Sequence, residues 1–492
     1  MRPSRARRDR TRAVVPLAVA VSLLGWRPAV RRTGFCCCRG PVPPSRGGAQ
    51  RRCAPAAAAE VQDPDLRRFE VGTRVRCRMS VTAWAAGTVT KSNCGPSHEV
   101  APYQVRLDEG NHLIWVPEDN DQIIQGLSFW DSPLGALRRQ FELDHAVQWQ
   151  QGQSRLPVSA AGGAAVPVVP HQLERDIEQF EHLLSRGVLG SEVGEYVADV
   201  VLPDYRRALE AAHSPATGGR GDVHALPSQP QFESVVGLHR KALHLHPGEP
   251  VRGGAIRPRD FEAIEREFRE KDHHAVVIDD FFSQEALAKI REFLMDSTFW
   301  FDAKNGYVGT YAETGFASPL VAQIDQELRS SFPGVIGNLE LQNCWAFMFD
   351  GSMGGVRTHA DNAQVQINFF LTPSDANEWS EDGTLPGGGL IIYGVGPPED
   401  MSLLDLNLED DKSKEDILAS VGHWNVTVPY VQNRAILFDS TYFHRTDDMR
   451  FKKGYKNRRI NMTFLYGRRA DLRPAAAVGT EAKPESTVEL VD

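Results

Sequence analysis

Six apolar runs separated by loops most constrain what this chain can fold into. They are Leu341–Phe349, Val365–Leu371, Leu390–Tyr393, Val426–Tyr430, Ala435–Phe438 and Ile460–Tyr466. Runs this short, rich in Val, Ile, Phe and Tyr, read as strands. Many strands joined only by loops bury their apolar faces best as two packed sheets, a β-sandwich or jelly roll. A further strand, Ala275–Asp279, opens this domain. The helix after it is capped by Ser283, with Ala286, Ile290 and Leu294 on one face. The expected class is mainly β with flanking helices.

At 492 residues the chain exceeds one ordinary core, so several domains are expected. Residues 1–60 carry many arginines around the apolar run Ala13–Trp26, with no acidic residue between Asp9 and Glu60. That run is too short for a stable membrane span and reads as a targeting leader. The stretch resembles the two-part leaders that direct proteins into plastids; a secretory or mitochondrial leader is the alternative. Residues 66–126 alternate in short strands such as Val71–Cys77, Trp84–Thr90, Tyr103–Gly110 and Leu113–Pro117, and resemble a small SH3-like or Tudor-like barrel. Its Phe69, Trp84, Tyr103 and Trp115 either fill the core of a very small domain or form an aromatic cage for a cation on a bound peptide. Residues 127–170 read as a linker, richest in Ala, Gly, Pro and Val from Gln151 onward. Residues 171–270 are helical: Leu173, Ile177, Phe180 and Leu184 recur at helical spacing, a second helix runs from Ser191 to Leu209 with Pro203 breaking or bending it, and Phe261, Ile264 and Phe268 mark a third. Residues 271–470 hold the sandwich and 471–492 a disordered tail. Met401–Asp416 is acidic and reads as a surface excursion or lid. The net charge of -9 excludes a general nucleic-acid binder, and the scattered cysteines exclude a disulfide framework.

Within the sandwich stand His359 and Asp361, in Thr358-His359-Ala360-Asp361, and His444, in Tyr442-Phe443-His444-Arg445-Thr446. Two imidazoles and a carboxylate in this spacing match the facial triad that holds non-haem Fe(II) and leaves coordination positions open. Residues two apart on an extended segment point the same way, which places His359 and Asp361 on the alternation of Ala363, Val365, Ile367 and Phe369. Polar groups on an inward sheet face are costly unless paired or metal-bound, so the competing reading is a buried Asp–His hydrogen bond. In Arg459-Ile460-Asn461-Met462-Thr463, Arg459, Asn461 and Thr463 share one face, and Arg458 lies on the other. Asn368, Tyr393 and Tyr430 are lesser candidates for the pocket wall. His273, His274 and His423 read as surface or supporting residues.

From about Ala275 to Arg469 the chain resembles the Fe(II)/2-oxoglutarate-dependent oxygenases, nearest the prolyl-hydroxylase-like branch. The resemblance rests on RTHAD at Arg357–Asp361, GGGLIIY at Gly387–Tyr393, NRAILFDSTYFHRT at Asn433–Thr446 and NRRINMTFLYG at Asn457–Gly467. It implies a double-stranded β-helix of jelly-roll type and iron held by His359, Asp361 and His444. It also implies 2-oxoglutarate and O2 as cosubstrates, release of succinate and CO2, and hydroxylation of a protein side chain or a small molecule. The distal carboxylate of 2-oxoglutarate needs a cation. Arg459 fits, with Asn461 adding a hydrogen bond, since a guanidinium holds a carboxylate through two parallel bonds. An inserted loop, Phe451–Lys456, separates His444 from Arg459 and makes Lys452 or Lys453 the alternative anchor. Two other functions compete. A metal hydrolase or cupin-type enzyme would want further histidines or carboxylates nearby. A non-catalytic binding protein would use the small barrel and carry a degenerate jelly roll.

Overall fold

The computed structural model describes residues 68–469, apart from 70, 72, 81–82, 95–100, 108–111, 150–164, 214–221, 228, 272–273, 352, 379–386, 398–410 and 421–424. The leader, the tail, the Ala/Gly/Pro-rich part of the linker, the first part of the acidic stretch, His273 and His423 lie outside the described residues.

The first strands form one antiparallel sheet: β1 (Arg74–Arg78), β2 (Trp84–Cys94), β3 (Ala101–Leu107), β4 (Leu113–Val116) and β5 (Ile124–Gly126), in the order β4-β3-β2-β1-β5. Alternation buries Val75, Cys77, Val89, Tyr103 and Val105 in a core of their own. The aromatic quartet does not assemble into a cage. Tyr103 is buried, its hydroxyl donating to Asp119, and Phe69 packs on it at 5.7 Å. Trp84 and Trp115 stand exposed, outside that core.

The stretch after β5 is not a linker throughout. Helix α1 (Pro133–His145) is capped by Ser132, which accepts from the Gly135 N–H, and starts on Pro133. Its buried stripe is only Gly135, Arg138 and Phe141, too narrow for hydrophobic periodicity to reveal. Next come β6 (Val166–Val168), α2 (Pro170–Arg186), α3 (Ser191–Tyr196), α4 (Leu202–Ala212), β7 (His224–Leu226) and α5 (Glu233–Leu238), packed around Leu173, Phe180, Leu183, Tyr205 and Val235. Pro203 neither breaks nor ends the helical path. A π-helical turn, Val197–Val201, links α3 to α4, and Pro203 falls in the first turn of α4, where its missing N–H costs nothing.

The main domain contains α6 (Phe261–Glu270), β8 (Ala275–Ile278), α7 (Gln284–Asp296), β9 (Asp302–Lys304), β10 (Tyr307–Tyr311), α8 (Pro319–Ser331), β11 (Leu341–Phe349), β12 (Val365–Phe370), β13 (Leu390–Tyr393), α9 (Asp411–Ser420), β14 (Asn425–Val428), β15 (Ala435–Asp439), β16 (His444–Thr446) and β17 (Ile460–Tyr466). Two antiparallel sheets result, β8-β15-β12-β17-β11-β10-β9 and β14-β13-β16. Phe370, Ile436 and Phe438 of the large sheet pack on Leu390, Ile392 and Val428 of the small one. Helices α6, α7 and α8 cover the other face of the large sheet, against Ile367, Phe369, Met462 and Phe464.

Two expectations change here. The bends at Asn362–Gln364 shift the phase of alternation, so Ile367 and Phe369 face the helices, while Gln366, Asn368 and Phe370 face the small sheet. The end of the acidic stretch is not a plain surface excursion either: Lys414 of α9 is buried, and Leu418, just beyond the stretch, packs with Ala360 and Phe443. Among the described residues no helix is long and apolar enough to cross a membrane.

Candidate metal centre

His359 and His444 face each other across a two-residue bridge. Each backbone N–H donates to the other residue's carbonyl, at 3.0 and 2.9 Å. The bridge sets the rings side by side, with centroids 4.2 Å apart. His444 begins β16 and pairs with Ile392 of β13, so the small sheet fixes its position. Asp361 reaches back from beyond Ala360. Its Oδ1 lies 3.8 Å from His359 Nε2 and its Oδ2 3.4 Å from His444 Nε2. One ligand atom from each residue lies within 4.8 Å of the other two.

The imidazole protons are held on the far side of both rings. His359 Nδ1 lies 2.8 Å from the Arg357 carbonyl and His444 Nδ1 lies 3.0 Å from the Tyr442 carbonyl. A carbonyl only accepts, so each Nδ1 must donate, which leaves the Nε2 turned toward Asp361 as the metal-binding atom of each ring. Asp361 Oδ2 is buried and makes no hydrogen bond with any described residue. A carboxylate and two imidazole Nε2 atoms converging at 3.4 and 3.8 Å, longer than normal hydrogen bonds, fit a divalent cation better than the alternative Asp–His hydrogen bond. Burial first, and then the neighbouring His444 ring, push the His359 imidazole down to about 4. Burial alone would raise the Asp361 carboxyl; attraction to the two imidazoles, which are positive when protonated, outweighs it and holds the group below its ordinary value.

Gln366 is a member of the site that pattern reading passed over. Its Nε2 sits 3.4 Å from His444 Nε2, and its Oε1 accepts from Ser440 Oγ at 3.0 Å. A glutamine inside the apolar run Val-Gln-Ile-Asn-Phe-Phe was the available signal. Asn368 does face inward, within 3.3 Å of Gln366 Nε2.

Arg459 is 2% exposed. Nε donates to the Gly388 carbonyl at 2.6 Å, Nη2 to the Gly389 carbonyl at 3.3 Å and Nη1 to Asn461 Oδ1 at 3.3 Å. The rings of Phe349, Phe370 and Tyr430 lie 4.6, 5.3 and 5.7 Å from its guanidinium carbon. Burial lowers its pKa to about 10. No carboxylate of a described residue comes within 4 Å of it. Register places the cation on the metal-site face: Asn461 pairs with Phe370, and Thr463 with Asn368. The glycines preceding β13 make the carbonyl cradle possible. Gly388 has φ +82, and a Cβ on Gly389 would fall 1.8 Å from the Val428 carbonyl oxygen.

The competing cations are elsewhere. Arg458 pairs with Glu178 at 2.6 Å, and Lys452 and Lys453 are exposed. Tyr430 belongs to the Arg459 cage, but its hydroxyl is spent on the Thr372 carbonyl at 2.7 Å. Tyr393 follows Ile392, the partner of His444, and so lies on the opposite face, its hydroxyl accepting from Arg445 Nε at 3.0 Å. His274 is structural, with Nδ1 2.9 Å from the Phe268 carbonyl.

No family model matches the chain, and no curated protein matches it. Solved structures similar to part of it include a non-haem α-ketoglutarate-dependent carbocyclase, SnoK, from nogalamycin biosynthesis (12% identity, 43% of this chain and 87% of that one, TM-score 0.32). A Pseudomonas putida prolyl-4-hydroxylase aligns at 15% identity over 44% and 99%, TM-score 0.26. Iron-bound HygX from Streptomyces hygroscopicus aligns at 14% over 44% and 88%, TM-score 0.29. At such scores the likeness decides nothing about this site, whose interpretation stands on its own geometry.

Proposed function

We propose that the chain is an Fe(II)- and 2-oxoglutarate-dependent oxygenase of double-stranded β-helix type that hydroxylates a protein side chain or a small molecule. The observation that carries this reading is the convergence of the Asp361 carboxylate with two imidazole Nε2 atoms whose Nδ1 atoms are both held by carbonyls. His359, Asp361 and His444 would hold the metal on one face and leave the others open. Fe(II) bound there supplies the meeting point for 2-oxoglutarate and O2, and the oxidative decarboxylation that releases succinate and CO2. Arg459 supplies the fixed positive charge for the distal carboxylate. Its rings and carbonyls keep water off the cation and hold the guanidinium in one orientation before the cosubstrate arrives. The carbonyls of Arg357 and Tyr442 keep both imidazoles in the metal-binding tautomer.

The test is anaerobic calorimetry of Fe(II) and then 2-oxoglutarate, followed by succinate release in air. One metal should bind per chain, and 2-oxoglutarate should bind only after it. His359→Ala and Asp361→Ala should each abolish metal-dependent succinate release while leaving the far-UV spectrum unchanged. Undiminished succinate release from both variants would refute the assignment.

A further inference from the structure

We propose that the open face of β10 and β11 is the wall that recognises substrate beside the metal centre, and that it takes a flat, uncharged ring. This rests on the oxygenase reading for the fate of the bound ring, but not for whether the ring binds.

Strands β10 and β11 are sealed on one side only. Val308, Cys344, Ala346 and Met348 are buried against the helices. The alternate residues are Tyr307, Gly309 and Tyr311 on β10 and Trp345, Phe347 and Phe349 on β11, paired across the strands as Tyr307–Phe349, Gly309–Phe347 and Tyr311–Trp345. Register with β17 sets this row on the face of the proposed cosubstrate anchor, because Phe347 pairs with Asn461 and Trp345 with Thr463. Phe349 is buried against Arg459. Tyr307, Tyr311, Trp345 and Phe347 are only half-buried. Four neighbouring aromatic side chains left partly wet on the interior face of a sheet are costly unless something apolar covers them.

The rings form a continuous surface. Tyr307 and Phe347 lie 4.9 Å apart, Trp345 and Phe347 5.8 Å, and Tyr311 and Trp345 6.0 Å. The planes of Trp345 and Phe347 are only 25° apart. Gly309 makes the Phe347 pose possible, since a Cβ there would come within 2.9 Å of the ring. Tyr307 tilts by 48° to Phe347 and Tyr311 by 57° to Trp345, so the stacked Trp345–Phe347 surface is the part that offers most contact to a flat ring.

Pairing weighs against a cation. Asp302, the carboxylate hydrogen-bonded to the shelf, is already occupied: Tyr311 donates to it at 2.9 Å and Lys304 pairs with it at 3.2 Å, while Glu313 and Asp361 act on Tyr311 and Tyr307 without a hydrogen bond. The Tyr307 hydroxyl makes no hydrogen bond with any described residue, and Asp361 is among the charges that act on it. That hydroxyl, on the metal side of the shelf, and the indole N–H of Trp345 can orient a ring that carries an acceptor.

The experiment uses the full chain and three probes of similar size: indole, cyclohexanol and benzyltrimethylammonium, measured by ligand-observed NMR. Indole should bind most tightly. Phe347→Leu and Trp345→Leu, which keep apolar bulk, should each weaken it about fivefold, while Trp345→Phe stays within about twofold. His359→Ala should bind indole as the parent does, so a failed oxygenase assignment and a failed shelf give different results. If Phe347→Leu does not fold, Tyr311→Leu at the half-buried edge carries the same comparison. Unchanged indole binding in the leucine variants, or tighter binding of cyclohexanol or the quaternary ammonium, would overturn the proposal.

Discussion

A guanidinium buried among three rings with no carboxylate of a described residue within 4 Å is costly for the fold, and an incoming dianion would relieve that cost. Arg459 is in this position, so its contributions to stability and to binding should separate. In Arg459→Met the KM for 2-oxoglutarate should rise about a hundredfold, the loss expected of a paired charge-assisted bond. The melting temperature without cosubstrate should hold or rise, and the upward shift that 2-oxoglutarate gives the parent should vanish. Scanning calorimetry with and without the cosubstrate checks both halves. His359 makes a second prediction. Its folded pKa of about 4 lies below the ordinary value of 6.5. Between these values the metal-free folded state binds fewer protons than the unfolded chain, so stability is full above about pH 6.5 and is lost as pH falls toward 4. Urea titrations of the chelated protein should show this loss, and His359→Gln should flatten it across that window. At this scale the chemistry was largely legible. Imidazole and carboxylate have few uses on an inward face, and arginine on a strand has fewer. Gln366, Tyr307 and Phe347 were not legible, because an amide or a ring in an apolar run reads as ordinary core until the neighbouring strand is known.

Elements were legible where both ends of a strand were marked by polar turns and its apolar residues faced a core. Leu341–Phe349, Leu390–Tyr393 and Ile460–Tyr466 match the observed strands. Strand β10 was invisible because its Gly309 interrupts the apolar pattern. Strand β16 was invisible because three residues, His444–Thr446, carry no period. The phase of β12 depended on bends at Asn362–Gln364 that no alternation rule contains. The carbonyl cradle at the head of β13 shows how an element transmits its shape to the site. In Gly389→Ala the new Cβ would strike the Val428 carbonyl oxygen, so β13 must part from β14 or the turn must shift. Either movement carries the Gly388 and Gly389 carbonyls away from Arg459. The variant should lose roughly 3 kcal/mol of stability and raise the KM for 2-oxoglutarate. Metal binding, which draws on other residues, should change little. Chemical denaturation and calorimetry read the two effects separately.

At the scale of the whole molecule, β1–β5 and α1 make opposite claims on the two-sheet domain. The β1–β5 sheet closes a core of its own around Val75, Tyr103 and Val105, and Arg106 donates from it to Asn338. Removing it uncovers little that the sandwich needs. Helix α1 is different. Phe141 lies in the core shared with α7 and α8, its ring 5.9 Å from that of Phe301. Buried Arg138 donates to the carbonyls of Gly315 and Ala317 at 3.3 and 3.2 Å, and to that of His246 at 3.4 Å. A chain beginning at Leu127, without the sheet, should therefore keep its metal affinity and succinate release. A chain beginning at Val147 also loses α1, which leaves a void where Phe141 sat and several buried carbonyls without a donor. Loss of a buried phenylalanine costs roughly 4 kcal/mol, which at this size lowers the melting temperature by roughly 5 °C. Calorimetry of the two shortened chains decides the matter. Equal melting temperatures would make α1 a connector, whereas the fall on removing it would place the edge of the two-sheet domain at Ser132.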